Sequence, residues 1–203
     1  RGARMEGQFN LRAGTVLQIL VGQQPVKSAF TGGGGGSFVA TGNNYQEAKP
    51  LLVAGGGGSY RCENDYDGDW QKIMDASIGE RGQSAYRRGG EEGYGGMSYS
   101  NMIKGGAGGG FYGDALSEMM NDSKIEIAKS FINGGKGGLY NHEGGHKGGF
   151  GGGGNGGWGG AGAGGGYSGG GSGNDSIFAP AGGGGSYNSG NNQVRQAGYN
   201  IGH

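Results

Sequence analysis

The N-terminal third of the chain alternates. Gln8-Phe9-Asn10-Leu11 switches between polar and apolar side chains, and Ala13-Gly14 offers a turn. Val16-Leu17-Gln18-Ile19-Leu20-Val21 is apolar and rich in β-branched residues, a pattern of strands rather than helices. Ser37-Phe38-Val39-Ala40 and Leu51-Leu52-Val53-Ala54 predict two further short strands, connected or followed by glycine runs at 32–36 and 55–58. The stretch 193–201 predicts one more. The only long glycine-free stretch of the second half is 114–132. There Asp114 suits the N-cap of a helix, with Ala115-Leu116-Ser117-Glu118-Met119-Met120 as its first turns. Asn121-Asp122-Ser123 breaks it, and Ile125-Glu126-Ile127 alternates again as a strand. The stretch 113–132 therefore reads as an insertion carried on the surface.

Elsewhere the period changes to three. Asn133-Gly134-Gly135-Lys136-Gly137-Gly138-Leu139 places a side chain at every third position. Arg88, Glu91, Tyr94 and Met97 keep one register across the single interruption at Glu92. Lys147-Gly148-Gly149-Phe150 does the same, as does Asn155-Gly156-Gly157-Trp158-Gly159-Gly160-Ala161, a register that Tyr167 rejoins. Three is neither the 3.6 of an α-helix nor the 2 of a strand. It is the period of the polyproline II conformation, about 3 residues per turn and about 3.1 Å per residue. With two glycines in each triplet, two edges of such a helix can meet neighbours backbone to backbone while the third carries a side chain. That geometry suits a bundle of polyglycine II helices.

Such a bundle is marginal on hydrogen bonds alone. Ordering a residue costs roughly 1–2 kcal/mol, with glycine at the costly end. Each hydrogen bond between helices returns only about 0.5–1.5 kcal/mol net. Phe111, Phe150, Trp158, Tyr167 and Phe178 are accordingly expected to bury apolar area at the rim of the bundle or against another layer.

Composition sharpens this picture. Glycine supplies 59 of the 203 residues and proline 3, a content that without the period would indicate disorder. Sixteen basic residues balance sixteen acidic ones, so no global charge draws the chain to nucleic acid. No apolar run approaches the roughly 20 residues of a membrane helix. The chain opens on Arg1-Gly2-Ala3-Arg4 with neither an initiator Met nor a signal-peptide pattern, as in a fragment or a processed chain. A single cysteine, Cys62, cannot close an internal disulfide. It is a free thiol, or pairs between chains in an oxidising compartment.

Several motifs spell chemistry. His142-Glu143-Gly144-Gly145-His146 matches the H-E-x-x-H of zinc proteases, which needs both histidines on one helical face. Glycines between and around them each cost a helix interior about 1 kcal/mol, so the segment is expected to be extended and catalytically empty. Asp65, Asp67 and Asp69, in Glu63-Asn64-Asp65-Tyr66-Asp67-Gly68-Asp69, are the candidate ligands for calcium. Their spacing departs from an EF-hand, and a solvated acidic turn is the preferred reading. No Gly-Lys-Ser/Thr follows the glycine loops, against nucleotide binding. Arg87-Arg88-Gly89-Gly90 is one copy of an RGG-like element on a neutral chain, too little to predict RNA binding. Asn121 and Asn174 head N-glycosylation sequons.

Gly2-Ala3-Arg4-Met5-Glu6-Gly7-Gln8-Phe9, the block 14–23, Gly32–Val39 and Pro50–Gly58 form a characteristic set. With Phe150-Gly151-Gly152-Gly153-Gly154, Gly166-Tyr167-Ser168-Gly169-Gly170-Gly171 and Gly183-Gly184-Gly185-Ser186-Tyr187-Asn188, it resembles the glycine-rich domain family. That family is typified by the ectodomains of anaplastic lymphoma kinase and leukocyte tyrosine kinase. The resemblance spans the chain outside 60–132. It implies an extracellular, non-enzymatic module in which a β-sandwich carries a polyglycine II bundle, and in the receptors this region takes part in binding protein ligands. The receptors are richer in cysteine. Members also commonly add a strand before the Gly2-Ala3-Arg4-Met5 block and another after Gly202-His203, which this sequence does not display.

The expected fold is thus mainly β: one glycine-rich domain over 1–203, with its β framework at 1–54 and 193–201. Polyglycine II segments are expected at 86–112 and 133–186, with a short helix near 115–120 in the 113–132 insertion. The expected function is a non-enzymatic extracellular structural or assembly module without cofactor, forming homo-oligomers or filaments by strand exchange. Two other roles fit the same features: a ligand-binding receptor ectodomain, and a phage-type adhesin that recognises a protein or glycan.

Overall fold

A computed structural model describes residues 1–26, 31–60, 68–98, 105–117, 125–141, 146–157, 160–174 and 179–200. It is mainly β, with three sheets and little helix. The strands are β1 (Gly2–Gln8), β2 (Leu17–Leu20), β3 (Ser37–Thr41), β4 (Lys49–Ala54), β5 (Ile125–Glu126), β6 (Leu139–Tyr140), β7 (Tyr187–Asn188) and β8 (Asn191–Asn200). One four-stranded sheet has the order β2-β3-β4-β7, while β1 pairs with β8 and β5 with β6 in two ribbons.

The four-stranded sheet follows from its alternation. In β3 only Phe38 and Ala40 are buried, because successive side chains face opposite sides. Antiparallel register sets Phe38 opposite Leu20 on β2 and opposite Val53 on β4, so three buried side chains share one face. The β3–β4 register shifts between Val39 and Ala40, beside the pair Ala40–Pro50; proline lacks the donor a regular ladder needs. Onto this face pack Phe111, Phe131 and Tyr167. Phe131 lies at the centre, its ring 4.7 Å from Phe111, 5.1 Å from Phe38 and 5.1 Å from Tyr45.

The glycine segments form a second interior with almost no side chains. The stretch 162–165 shows its construction. Successive N–H groups of Gly162, Ala163, Gly164 and Gly165 donate to the carbonyls of Thr31, Gly106, Gly182 and Gly34, at 2.9–3.2 Å. Their own carbonyls accept from the N–H groups of Ser59, Gly154, Gly170 and Gly56, at 2.8–3.0 Å. Partners recur after three residues: Thr31 then Gly34 on one side, Ser59 then Gly56 on another. Ala163 and Gly166 donate likewise to Gly106 and Gly109, and Gly169 and Ser172 to Tyr94 and Met97. A strand in a sheet bonds to two neighbours, since its polar groups lie in one plane. Here one short stretch is bonded on six sides.

Close approach excludes side chains from this interior. A Cβ built on Gly33 would lie 1.9 Å from the Ala163 oxygen, and one on Gly164 would lie 2.0 Å from the Gly56 oxygen. Alanine and serine fill the few roomier places, as at Ala107, Ala161, Ala181, Ser168, Ser172 and Ser186, all fully buried or nearly so.

The structure departs from expectation in three places. Residues 115–117, expected to open a helix, are extended, and Leu116 bridges to Met97; 118–120 lie outside the described residues. The reason is local competition. The Ala115 and Leu116 amides donate to Ala128 and Gly96, and Asp114 accepts from the Ser130 amide and hydroxyl and from Asn133 instead of capping the residues after it. A helix forms instead at Gly68–Met74 (α1). Second, the described ends of the 113–132 stretch belong to the interior, with Ala115, Ala128, Ser130 and Phe131 buried. Third, Phe150 remains 39% exposed in a turn, whereas Phe111 and Tyr167 are buried as anticipated.

Candidate functional site

Two strands offer edges to a partner. β2 is the outer strand of its sheet, and only Leu20 of its residues is buried. Ile19 is 59% exposed and Val21 just beyond is 69% exposed, with Val16 and Leu17 also open. An apolar run on both faces is the pattern of a strand covered on both faces, yet one face of β2 is covered. The continuity of 16–21 held that signal in the sequence.

β8 is the longest strand, ten residues, and nine of them are exposed. Its partner β1 holds it by an antiparallel ladder with shifts at both ends. Arg4 reinforces the ribbon, pairing with Glu6 and lying 4.9 Å from the centre of the Tyr199 ring. The ribbon is tied to the main sheet by Asn188 Nδ2, which donates to the Glu6 carbonyl at 2.7 Å, and by the Ala3 amide, which donates to the Gly55 carbonyl at 3.0 Å. The outer edge of β8 has no strand beside it among the described residues. An unpaired edge of this length is a template for another chain.

Between the start of β1, the glycine segments 32–35 and 55–58 and α1 runs a half-open groove of about 860 Å³. Gln23, Gln24, Thr31, Ser59, Gln71 and Asn200 line it with uncharged polar side chains, and Arg1 adds a charged one. Glycine main chain forms most of the remaining wall.

The residues singled out by sequence do not come together as a chemical centre. Asp69 lies in the first turn of α1, exposed, with its carboxylate 3.0 Å from Lys72 Nζ. Asp65, Asp67 and Cys62 lie outside the described residues, as do Asn121, Trp158, Phe178, His142 and Glu143. His146 is in an extended bridge with Gly156, on no helix. Asn174 is half-buried. Among the described residues no three His, Cys, Asp or Glu side chains group as a metal site, and no helix is long and apolar enough to cross a membrane. No protein-family model and no curated protein matches the chain.

Proposed function

We propose that this chain is a non-enzymatic extracellular structural module whose copies associate through open strand edges, as the subunit of a filament. The glycine interior is taken to be a polyglycine II bundle and the strands around it a β-sandwich frame. The six-sided bonding of 162–165 and its three-residue recurrence support the bundle, since a helix of three residues per turn presents polar groups in three directions. The observation that carries the assembly is β8, a ten-residue strand with nine residues exposed and no strand along its outer edge among the described residues. The apolar exposed face of β2 supplies a second surface. Head-to-tail use of two different surfaces propagates as a fibre rather than closing as a dimer. The resemblance to the glycine-rich ectodomain family agrees with an extracellular setting.

Negative-stain electron microscopy, with light scattering at rising protein concentration, tests this function. Filaments of regular repeat are expected, with Ile19→Lys and Val194→Lys each shifting the population to monomers. A wild-type chain that stays monomeric at high concentration and forms no filaments would overturn it.

A further inference from the structure

Away from both strand edges, three phenols and two carboxylates occupy one face. Tyr167 is 92% buried by its ring contacts, being only 8% exposed, with Tyr187 stacked at 4.6 Å and Tyr112 edge-on at 6.4 Å. Two loops bring acidic residues next to the segments that carry these rings. The Ser186 amide donates to the Gly79 carbonyl at 2.7 Å, and the Tyr112 amide to the Gly93 carbonyl at 2.8 Å. Glu80 therefore adjoins Tyr187, and Glu92 adjoins Tyr112. Gly93 lies directly under the Tyr112 ring, and its amide donates to Ser168 Oγ, next to Tyr167.

The charge on this face is not balanced. Arg88 and Arg81 both pair with Glu91, at 2.6 and 3.5 Å. Glu80 and Glu92 are exposed and make no ion pair with any described residue. Glu92 is held at φ 53°, a conformation unfavourable for a residue with a side chain. The hydroxyls of Tyr112, Tyr167 and Tyr187 make no hydrogen bond to any described residue. The Tyr167 phenol is pushed up to about 12, first by burial and then by Tyr112, Glu80, Tyr187 and Glu92. Negative potential from both carboxylates thus reaches the Tyr167 phenol.

We propose that Tyr112, Tyr167, Tyr187, Glu80 and Glu92 form a recognition site for an alkylammonium or guanidinium group, borne by a lysine or arginine side chain of a peptide partner. Ring faces attract a cation through their quadrupoles, phenol and carboxylate oxygens accept its hydrogen bonds, and the uncompensated carboxylates set the sign. None of the five residues lies on β2 or β8, although Arg195 of β8 donates to the Ile78 carbonyl at 3.3 Å, and the test reads small-molecule binding rather than assembly.

The test is an NMR titration of the tyrosine ring signals of the full chain with Nα-acetyl-lysine amide, Nα-acetyl-arginine amide and Nα,Nε-diacetyl-lysine amide. Saturable shifts of the Tyr112 and Tyr187 rings are expected with the first two and not with the third, which lacks the charge. Glu80→Gln and Glu92→Gln, on exposed side chains, should each weaken binding about fivefold, the value of one unit charge near 4 Å in water. The arm that binds more tightly distinguishes an ammonium source from a guanidinium source. Equal shifts with the diacetylated probe, binding indifferent to both substitutions, or saturable binding of a neutral oligosaccharide in place of the cations would overturn the proposal.

Discussion

The molecule has two dry interiors built on opposite rules. Around Phe38, Phe111 and Phe131 it excludes water with side chains, and stabilisation follows apolar area at about 25 cal/mol per Å². Around 162–165 it excludes water with main chain, and the buried side chains of the surrounding glycine stretches are methyl or hydroxymethyl groups apart from the amide of Asn155. The aromatic interior is cohesive through many weak contacts and can re-pack. The glycine interior is cohesive through bonds of fixed direction, whose spacing leaves no slack. The two meet at Phe111 and Tyr167, each placed where an extended glycine segment bends. Their rings anchor the glycine segments to the sheet and contribute burial that glycine cannot.

Adding one carbon to the glycine interior gives the largest expected effect. Gly33→Ala places Cβ 1.9 Å from the Ala163 oxygen, and Gly164→Ala places it 2.0 Å from the Gly56 oxygen. Both contacts are to backbone that is itself bonded on several sides, so neither neighbour can withdraw cheaply. Each variant is expected to lose more than about 4 kcal/mol and to give a collapsed NMR spectrum in place of a dispersed one. Either variant melting at the wild-type temperature would refute the packing assigned to this interior.

Removing carbon from the aromatic interior comes next. Phe131→Ala should cost about 3–5 kcal/mol, while Phe131→Leu, closer in volume, should cost less than about 2 kcal/mol. Denaturant midpoints for the pair measure this tolerance. A Leu variant as damaged as the Ala variant would mean that both interiors obey the stricter rule.

Asp114 joins the regions at a smaller scale. Its carboxylate accepts from the Ser130 amide and hydroxyl, from Asn133 and from Lys129, at 2.8–2.9 Å. Burial pushes its pKa up, and these donors together outweigh burial and leave it below the ordinary value. A carboxyl depressed in the folded state stabilises fully above its unfolded pKa, near 3.9. That stabilisation is lost as pH falls through the lower folded value. Asp114→Ala should cost about 2–3 kcal/mol at neutral pH, and the difference from wild type in thermal midpoint should shrink as pH is lowered from 6 to 2. A difference independent of pH would show that the charge is irrelevant.

The legible parts of the fold were those in which one period dominates. Leu20, Phe38 and Val53 face inward beside outward residues, and β2, β3, β4 and β8 lie close to the stretches read as strands, whereas the alternation at 8–11 gives no strand beyond Gln8. The x-Gly-Gly triplets lie at 88–97, 133–139, 147–150 and 155–161, while the three-residue recurrence of bonding partners is found at 162–172, outside them. The helix expected from 115 does not form over the described residues 115–117 because Asp114 can cap either its own next turn or the distant amide of Ser130, and a local pattern does not contain the second choice. Phe131 was hidden for the same reason: its partners Phe38 and Phe111 are distant in sequence. The strand edges were half visible in the doubly apolar run 16–21, and the approach of the 79–80 and 92–93 loops to Tyr187 and Tyr112 was not visible at all, since backbone bonds between segments remote in sequence create it.

The smallest expected effect is the most discriminating. Gly34 follows Gly33 in the same extended segment and donates to Gly57 at 2.9 Å. A Cβ on Gly34 would meet nothing nearer than 3.5 Å, and its backbone needs no left-handed φ. It lies on the wall of the open groove, where a methyl group has room. Gly34→Ala removes freedom from the unfolded chain without crowding the folded one, and should change stability by less than about 1 kcal/mol, with gain the expected sign. Glycine content predicts that neighbouring glycines respond alike, whereas three-residue packing predicts opposite responses one residue apart. Thermal midpoints of Gly33→Ala and Gly34→Ala, measured side by side, separate these: comparable loss in both would mean that the segment demands glycine for flexibility, and loss at 33 alone would tie the demand to the side of the segment that faces its neighbours.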